Sequence, residues 1–210
     1  MFRFAIVDDH PIVRNGLKEV VLANFHDVTI DEYTAGYDFI RNVQNNQYDL
    51  ALLDISLVDI NGIEVLHEIR KKRPKLPVLI ISMLPEEDYA IRAIKAGAQG
   101  YISKRTVASE LVQAMRKVLA GKRYVSPVFA AKMLLDFETN AEKAPHETLS
   151  VRELQVLVLI GKGKTVNQIA EELHLSADTV RTYRTRILQK INVKGTSQMI
   201  HYAITHGLTD

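Results

Sequence analysis

From Phe4 to Leu119 short apolar runs alternate with stretches of helical spacing, a pattern that few folds can satisfy. The runs are Phe4 to Val7, Val28 to Tyr33, Leu50 to Leu53, Val78 to Ile81 and Gly100 to Ile102. Between them, Ile12, Val13, Leu17, Val20 and Val21 fit one helix face, as do Ile63, Leu66 and Ile69, then Ile91 and Ile94, then Leu111, Met115, Val118 and Leu119. Five strands alternating with five helices imply a parallel sheet covered on both faces, because parallel neighbours can be joined only by long crossovers. Leu50-Ala51-Leu52-Leu53 and Val78-Leu79-Ile80-Ile81 are apolar without alternation, as central strands buried on both sides should be. The expected fold is a doubly wound α/β domain with a five-stranded parallel sheet.

Such a sheet binds ligands beyond the carboxyl ends of its strands. The residues that stand there are Asp8 and Asp9 after the first strand, Asp54 after the third, Ser82 after the fourth and Lys104 after the fifth. Taken singly, an Asp after a strand is as well explained by helix capping, and Ser82 or Lys104 as ordinary loop residues. Together they are harder to explain so. Three carboxylates side by side repel one another and raise their own pKa values unless a cation neutralises them, and Mg²⁺, a hard oxygen-seeking ion, meets that need. Carboxylates holding Mg²⁺, with a lysine and a hydroxyl, make a cradle for a phosphoryl group in transfer. The central carboxylate, Asp54, is the candidate nucleophile.

The motifs "VDDHPIVRNGL", "LLDISLVDINGIEVL", "LIISM" and "GYISK" give residues 1–121 a close resemblance to the receiver domain of bacterial response regulators. That resemblance implies a flavodoxin-like fold with Asp54 as phosphoacceptor. It implies a Mg²⁺ site formed by Asp8, Asp9, Asp54 and the backbone carbonyl of Ser56. Ser82 would grip the phosphoryl group and Lys104 would pair with it, while Tyr101 would act as the switch residue that turns inward as Ser82 moves. Two positions depart from the common pattern: Leu57-Val58 stands for Met-Pro after the phosphoacceptor, and Lys104-Arg105 for Lys-Pro after the last strand. A cis bond to a non-proline residue costs about 3 kcal/mol, so loop geometry at Arg105 is open.

After Gly121 the pattern changes. Residues 122–148 read as a linker carrying one short amphipathic helix around Pro127 to Phe137, with Asn140 to Thr148 as its polar part. From Leu149 the spacing is helical again. Leu154, Leu157 and Val158 point inward on one helix, Gly161 and Gly163 break it, and Val166, Ile169, Ala170 and Leu173 line a second. Ser176 is placed to cap a third, with Val180, Ile187 and Ile191 as its buried stripe. Two helices joined by a tight turn, the second rich in arginine and hydroxyls, suit a major groove.

Through "LSVRELQVL", "GKTVNQIAEEL", "LSADTVRTYRTRILQKINV" and "SQMIHYAITHGL", residues 149–210 resemble the LuxR-type helix-turn-helix domain. The resemblance makes Ser176 to about Lys190 the recognition helix. Arg181, Thr182 and Thr185 would face bases, and Lys164, Thr165, Tyr183, Arg184 and Arg186 would lie nearer phosphates. The last helix, Thr196 to His206, would pair with its copy in a homodimer. The whole chain then resembles a response regulator of the NarL/FixJ type, which takes phosphate from a sensor histidine kinase and binds double-stranded promoter DNA.

Composition agrees without deciding. Residues 1–121 carry 15 basic and 16 acidic side chains, whereas residues 149–210 carry 8 and 5, so the mild positive charge sits in the helical part. The chain has no cysteine, which excludes thiolate chemistry and fits a reducing compartment. No apolar run approaches the roughly 20 residues that cross a bilayer, and the N-terminal segment turns acidic where a signal peptide is still apolar, so a cytoplasmic protein without a membrane partner is expected. Two rivals remain at this point. One is a Mg²⁺-dependent phosphatase, against which stands Ser56 two residues after Asp54, where one phosphatase class has a second Asp. The other is a DNA-binding protein that ignores phosphate. The leading expectation is a protein that is no enzyme beyond its own phosphorylation and dephosphorylation.

Overall fold

The computed structural model describes residues 1–138 and 144–209 and divides the chain into two compact units, Met1–Asn140 and Ala141–Asp210. In the first unit β1 (Phe2–Val7), α1 (Pro11–Asn24), β2 (Val28–Tyr33), α2 (Gly36–Asn42), β3 (Leu50–Leu53), α3 (Gly62–Lys72), β4 (Val78–Ser82), α4 (Glu86–Lys95), β5 (Gly100–Ser103) and α5 (Val107–Leu119) alternate, followed by α6 (Pro127–Glu138). The five strands form one sheet of order β2-β1-β3-β4-β5, parallel throughout. All five expected strands are present, and the fold class is the one expected.

Alternate strand residues serve opposite faces. Phe4, Ile6, Leu52, Leu79, Ile81 and Ile102 join Leu17 and Val21 of α1 and Leu111, Met115 and Val118 of α5 in one core cluster. The intervening Ala5, Val7, Ala51, Leu53, Ile80 and Tyr101 are equally buried. Helical spacing misleads in two places. Ile12 is 88% exposed, since five residues short of Leu17 it stands about 140° round the helix. In α4 the buried residues are Tyr89, Ala90 and Ala93, while Ile91 and Ile94 are only half-buried.

The core also continues past Gly121. Tyr124 donates its amide to the Gln99 carbonyl and accepts from the Tyr101 amide, pairing in parallel beside β5. Its ring is buried, and so is that of Phe129 on α6. Residues 122–138, read from the sequence as part of a linker, thus group with the first unit. Of the polar stretch Asn140 to Thr148, residues 140–143 lie outside the described part, and Pro145–Thr148 form a 3-10 turn.

The second unit contains α7 (Val151–Gly161), α8 (Val166–Glu172), α9 (Ala177–Lys190) and α10 (Thr196–Thr205). Ser150 and Thr165 cap α7 and α8 through reciprocal bonds with Glu153 and Gln168, and Ser176 caps α9. α7 ends at Gly161 as expected, and a Cβ there would stand 2.7 Å from Ala203 Cβ, so its absence also lets α10 approach. Among the described residues no helix is long and apolar enough to cross a membrane.

Candidate functional sites

The strand order reverses between β1 and β3, and the sheet's ligand crevice opens at that point. Val7 and Leu53 are register partners there, so Asp8 and Asp54 emerge side by side. Both are almost wholly buried. Lys104, carried by the end of β5, reaches across with its Nζ 2.7 Å from Asp8 Oδ2 and 2.7 Å from Asp54 Oδ2. Its own amide donates to the Ser82 carbonyl at 2.8 Å, which ties the ends of β4 and β5 together. Ser82 is fully buried, and its Oγ accepts from the Leu84 amide. The exposed Ser56 donates its amide to Asp54 Oδ1 at 3.2 Å.

One ammonium shared by two carboxylates sets the charge balance. Burial works against the charge of Lys104, yet Asp54 and Asp8 outweigh it and hold the lysine pKa above its ordinary value. Burial raises the pKa of Asp54, and half a share in Lys104 does not bring it back. The site is short of positive charge. Asp8 Oδ2 moreover meets Lys104 Nζ, and Asp9 Oδ1 meets His10 Nδ1, at 2.7 Å each, so each of these buried oxygens has a single close partner. Asp8, Asp9, His10 and Asp54 each offer a ligand atom within 4.8 Å of the others. A cluster of three carboxylates with a single lysine among them fits a hard divalent cation, and Mg²⁺ is of that kind.

Tyr101 is already inside: its side chain is fully buried and its hydroxyl donates to the Leu84 carbonyl at 2.8 Å. Burial pushes its phenol pKa far above the usual range. Of the two departures from the receiver pattern, Leu57 is buried near Gly36 and Val58 is exposed. Every peptide bond among the described residues is trans, that before Arg105 included.

Three residues of this site escape a reading of strand ends. His10 follows the acidic pair directly and donates its amide to Asp8 Oδ1 while its Nδ1 meets Asp9. Asp59 accepts from the Gly36 and Tyr37 amides and so caps α2 from the loop after β3. Gly62 lies against the backbone of Asp54 itself, where a Cβ would stand 2.0 Å from the carbonyl oxygen. Its signal was the Asn61-Gly62 pair, a turn dipeptide.

In the second unit α8, a short turn and α9 form a helix-turn-helix. His174 in the turn takes φ 53°, and the Leu175 amide returns to the Ala170 carbonyl, which stops α8 sharply. On α9, Val180 and Ile187 are buried while Arg181, Thr182, Thr185 and Arg186 are exposed. Tyr183 and Arg184 are half-buried, and Arg184 donates to Thr196 Oγ1 at 2.8 Å. Lys164 pairs with Glu172, and Thr165 is spent as the cap of α8. Arg181, Thr182 and Thr185 therefore share an open face, whereas the residues expected nearer phosphates differ in exposure.

Comparison with known proteins agrees with both halves. Residues 4–116 match the family model for the response regulator receiver domain, and residues 147–203 that for bacterial regulatory proteins of the luxR family. The response regulator UvrY of Escherichia coli is 34% identical over 209 residues, covering 99% of this chain and 96% of that one. The response regulator GacA of Pseudomonas aeruginosa is 32% identical over 212 residues, covering 100% and 99%. RcsB of Salmonella enterica serovar Typhimurium, solved bound to the promoter rprA in the presence of phosphomimetic BeF3-, shares the fold with a TM-score of 0.66 at 20% identity, over 96% of this chain and 98% of that one.

Proposed function

This chain belongs to the response regulators of the NarL/FixJ type, which join a receiver domain to a LuxR-type DNA-binding domain, and on that premise we propose that Asp54 accepts a phosphoryl group from a histidine kinase. The observation that carries the proposal is the buried bridge Asp8–Lys104–Asp54, with an ammonium 2.7 Å from each carboxylate. An Asp54 carboxylate oxygen attacks the phosphorus as the bond from phosphorus to the donor's imidazole nitrogen breaks. The electron pair stays on the imidazole, and an acyl phosphate is left on Asp54. Asp8, Asp9 and Asp54 would hold Mg²⁺ with the Ser56 carbonyl, and bound there it would neutralise charge on the transferring oxygens. Lys104 would follow the new phosphate, freed in part from Asp8, and Ser82 would donate its hydroxyl to it.

The product carries about −1.5 to −2 charges where one carboxylate stood. Movement of Ser82 would be passed to Leu84 and thus to the Tyr101 hydroxyl, reorganising the face made by α4, β5 and α5. The reader would then bind promoter DNA as a homodimer, through half-sites about one helical turn apart. Catalysis would be limited to the protein's own phosphorylation and dephosphorylation. Incubation with Mg²⁺ and a small phosphodonor should add one phosphoryl group to Asp54 by mass spectrometry and none to Asp54→Asn. No adduct, under conditions that label a control receiver, would overturn the proposal.

A further inference from the structure

We propose that Asp178 is a positioning residue of the DNA reader, whose carboxylate holds the Arg181 guanidinium in the orientation that reads one guanine in each half-site. This rests on the DNA-binding reading given above. Both residues stand on the open side of α9, one turn apart, with Arg181 Nη1 2.6 Å from Asp178 Oδ1 and side chains 60% and 90% exposed. An ion pair this exposed contributes little to stability. A carboxylate facing a groove is also repelled by the phosphates on either side. Its place is explained if it serves the arginine.

Three further observations support that role. The cap of α9 is already supplied by Ser176, whose Oγ accepts from the Thr179 amide at 3.1 Å, so Asp178 is not needed for capping. Thr182 donates its hydroxyl to the Asp178 carbonyl and Thr185 donates to the Arg181 carbonyl. Their protons are thereby committed, leaving acceptor lone pairs and methyl groups toward bases, and donation to guanine falls to Arg181. A guanidinium has five N–H groups, and one spent on Asp178 leaves enough for the two that guanine O6 and N7 require.

The test is selection from a randomised double-stranded DNA library by the full chain, treated with Mg²⁺ and a small phosphodonor. The wild type should enrich a motif containing a guanine position whose preference Arg181→Ala abolishes. Asp178→Ala should enrich the same motif with that preference reduced at least fivefold, while affinity for random-sequence DNA is unchanged or higher. The double variant should match Arg181→Ala alone. Asp178→Asn, which keeps shape and loses charge, serves as a second variant should the alanine form melt earlier by circular dichroism.

An unaltered guanine preference in folded Asp178 variants would overturn the inference. So would a change at a position that Arg181→Ala leaves intact, since Asp178 would then read its own base. A wild-type motif that survives Arg181→Ala would overturn the inference but leave the reader standing. No enriched motif from the wild type would overturn the DNA-binding reading and this inference together.

Discussion

Gly62 shows how narrowly the backbone of Asp54 is held. With a Cβ 2.0 Å from the Asp54 carbonyl oxygen, Gly62→Ala forces the loop off Asp54, and a backbone atom cannot swing aside as a side-chain tip would. Overpacking of this kind costs about 1–3 kcal/mol. We expect a loss near the upper end in urea denaturation, with slower phosphorylation in the fraction that still folds. The acidic trio, Ser82 and Lys104 were legible in sequence because strand ends converge by construction, so five separated residues could be gathered without coordinates. Gly62 was not, because its importance is the absence of an atom at a contact that only the folded loop creates. His10 escaped for another reason: attention to carboxylates passed over the imidazole beside them, although it meets Asp9 at 2.7 Å.

Among the helices, α7 and α9 are joined by a buried charge. Glu153 returns to the Ser150 amide at 2.7 Å and receives Lys190 Nζ at 2.6 Å. Burial opposes its ionisation, but Lys190 and Ser150 outweigh burial and hold its pKa below the ordinary 4.5. A carboxyl whose pKa is depressed on folding stabilises the fold above its unfolded pKa, and that contribution fades as pH falls through the lower folded value. The helical unit should therefore lose stability as pH drops below about 4.5, and Glu153→Gln should flatten that part of the profile in circular dichroism melts. Ser150→Ala, which removes the other half of the cap, should cost about 1 kcal/mol at neutral pH. His174 sits at φ 53°, where a Cβ is strained, so His174→Gly should raise the melting midpoint by the equivalent of roughly 0.5–1 kcal/mol. The first three helices of this unit were legible from period, and α9 from its cap as well, whereas α10 followed only from the resemblance to the LuxR-type domain. The buried face of α4 was not, because counting large apolar residues favours Ile91 and Ile94, whereas close packing on a sheet selects Ala90 and Ala93.

At the scale of the chain, two compact units imply two separable responses. A ligand that binds only the folded form stabilises by mass action, about 2.7 kcal/mol at a free concentration roughly 100 times Kd. Adding Mg²⁺ should thus raise the unfolding transition of the receiver unit and leave that of the helical unit in place. Loss of the shift in Asp9→Asn would tie it to the acidic cluster, and an undiminished shift would place the ion elsewhere. The apolar periodicity of the sequence stops at Gly121, whereas residues 122–138 group with the first unit. The missing signal was a single bulky residue, Tyr124, which supplies a backbone pair and a buried ring that no local pattern announces. That pair has a further bearing on solubility. The Gln99 carbonyl and Tyr101 amide are the groups through which β5 would recruit a foreign strand, and Tyr124 occupies both. A fragment ending at Gly121 would uncover this sticky border and should self-associate in size-exclusion chromatography, where one ending at Glu138 runs cleanly, so the chain carries its own stopper against sheet-to-sheet polymerisation.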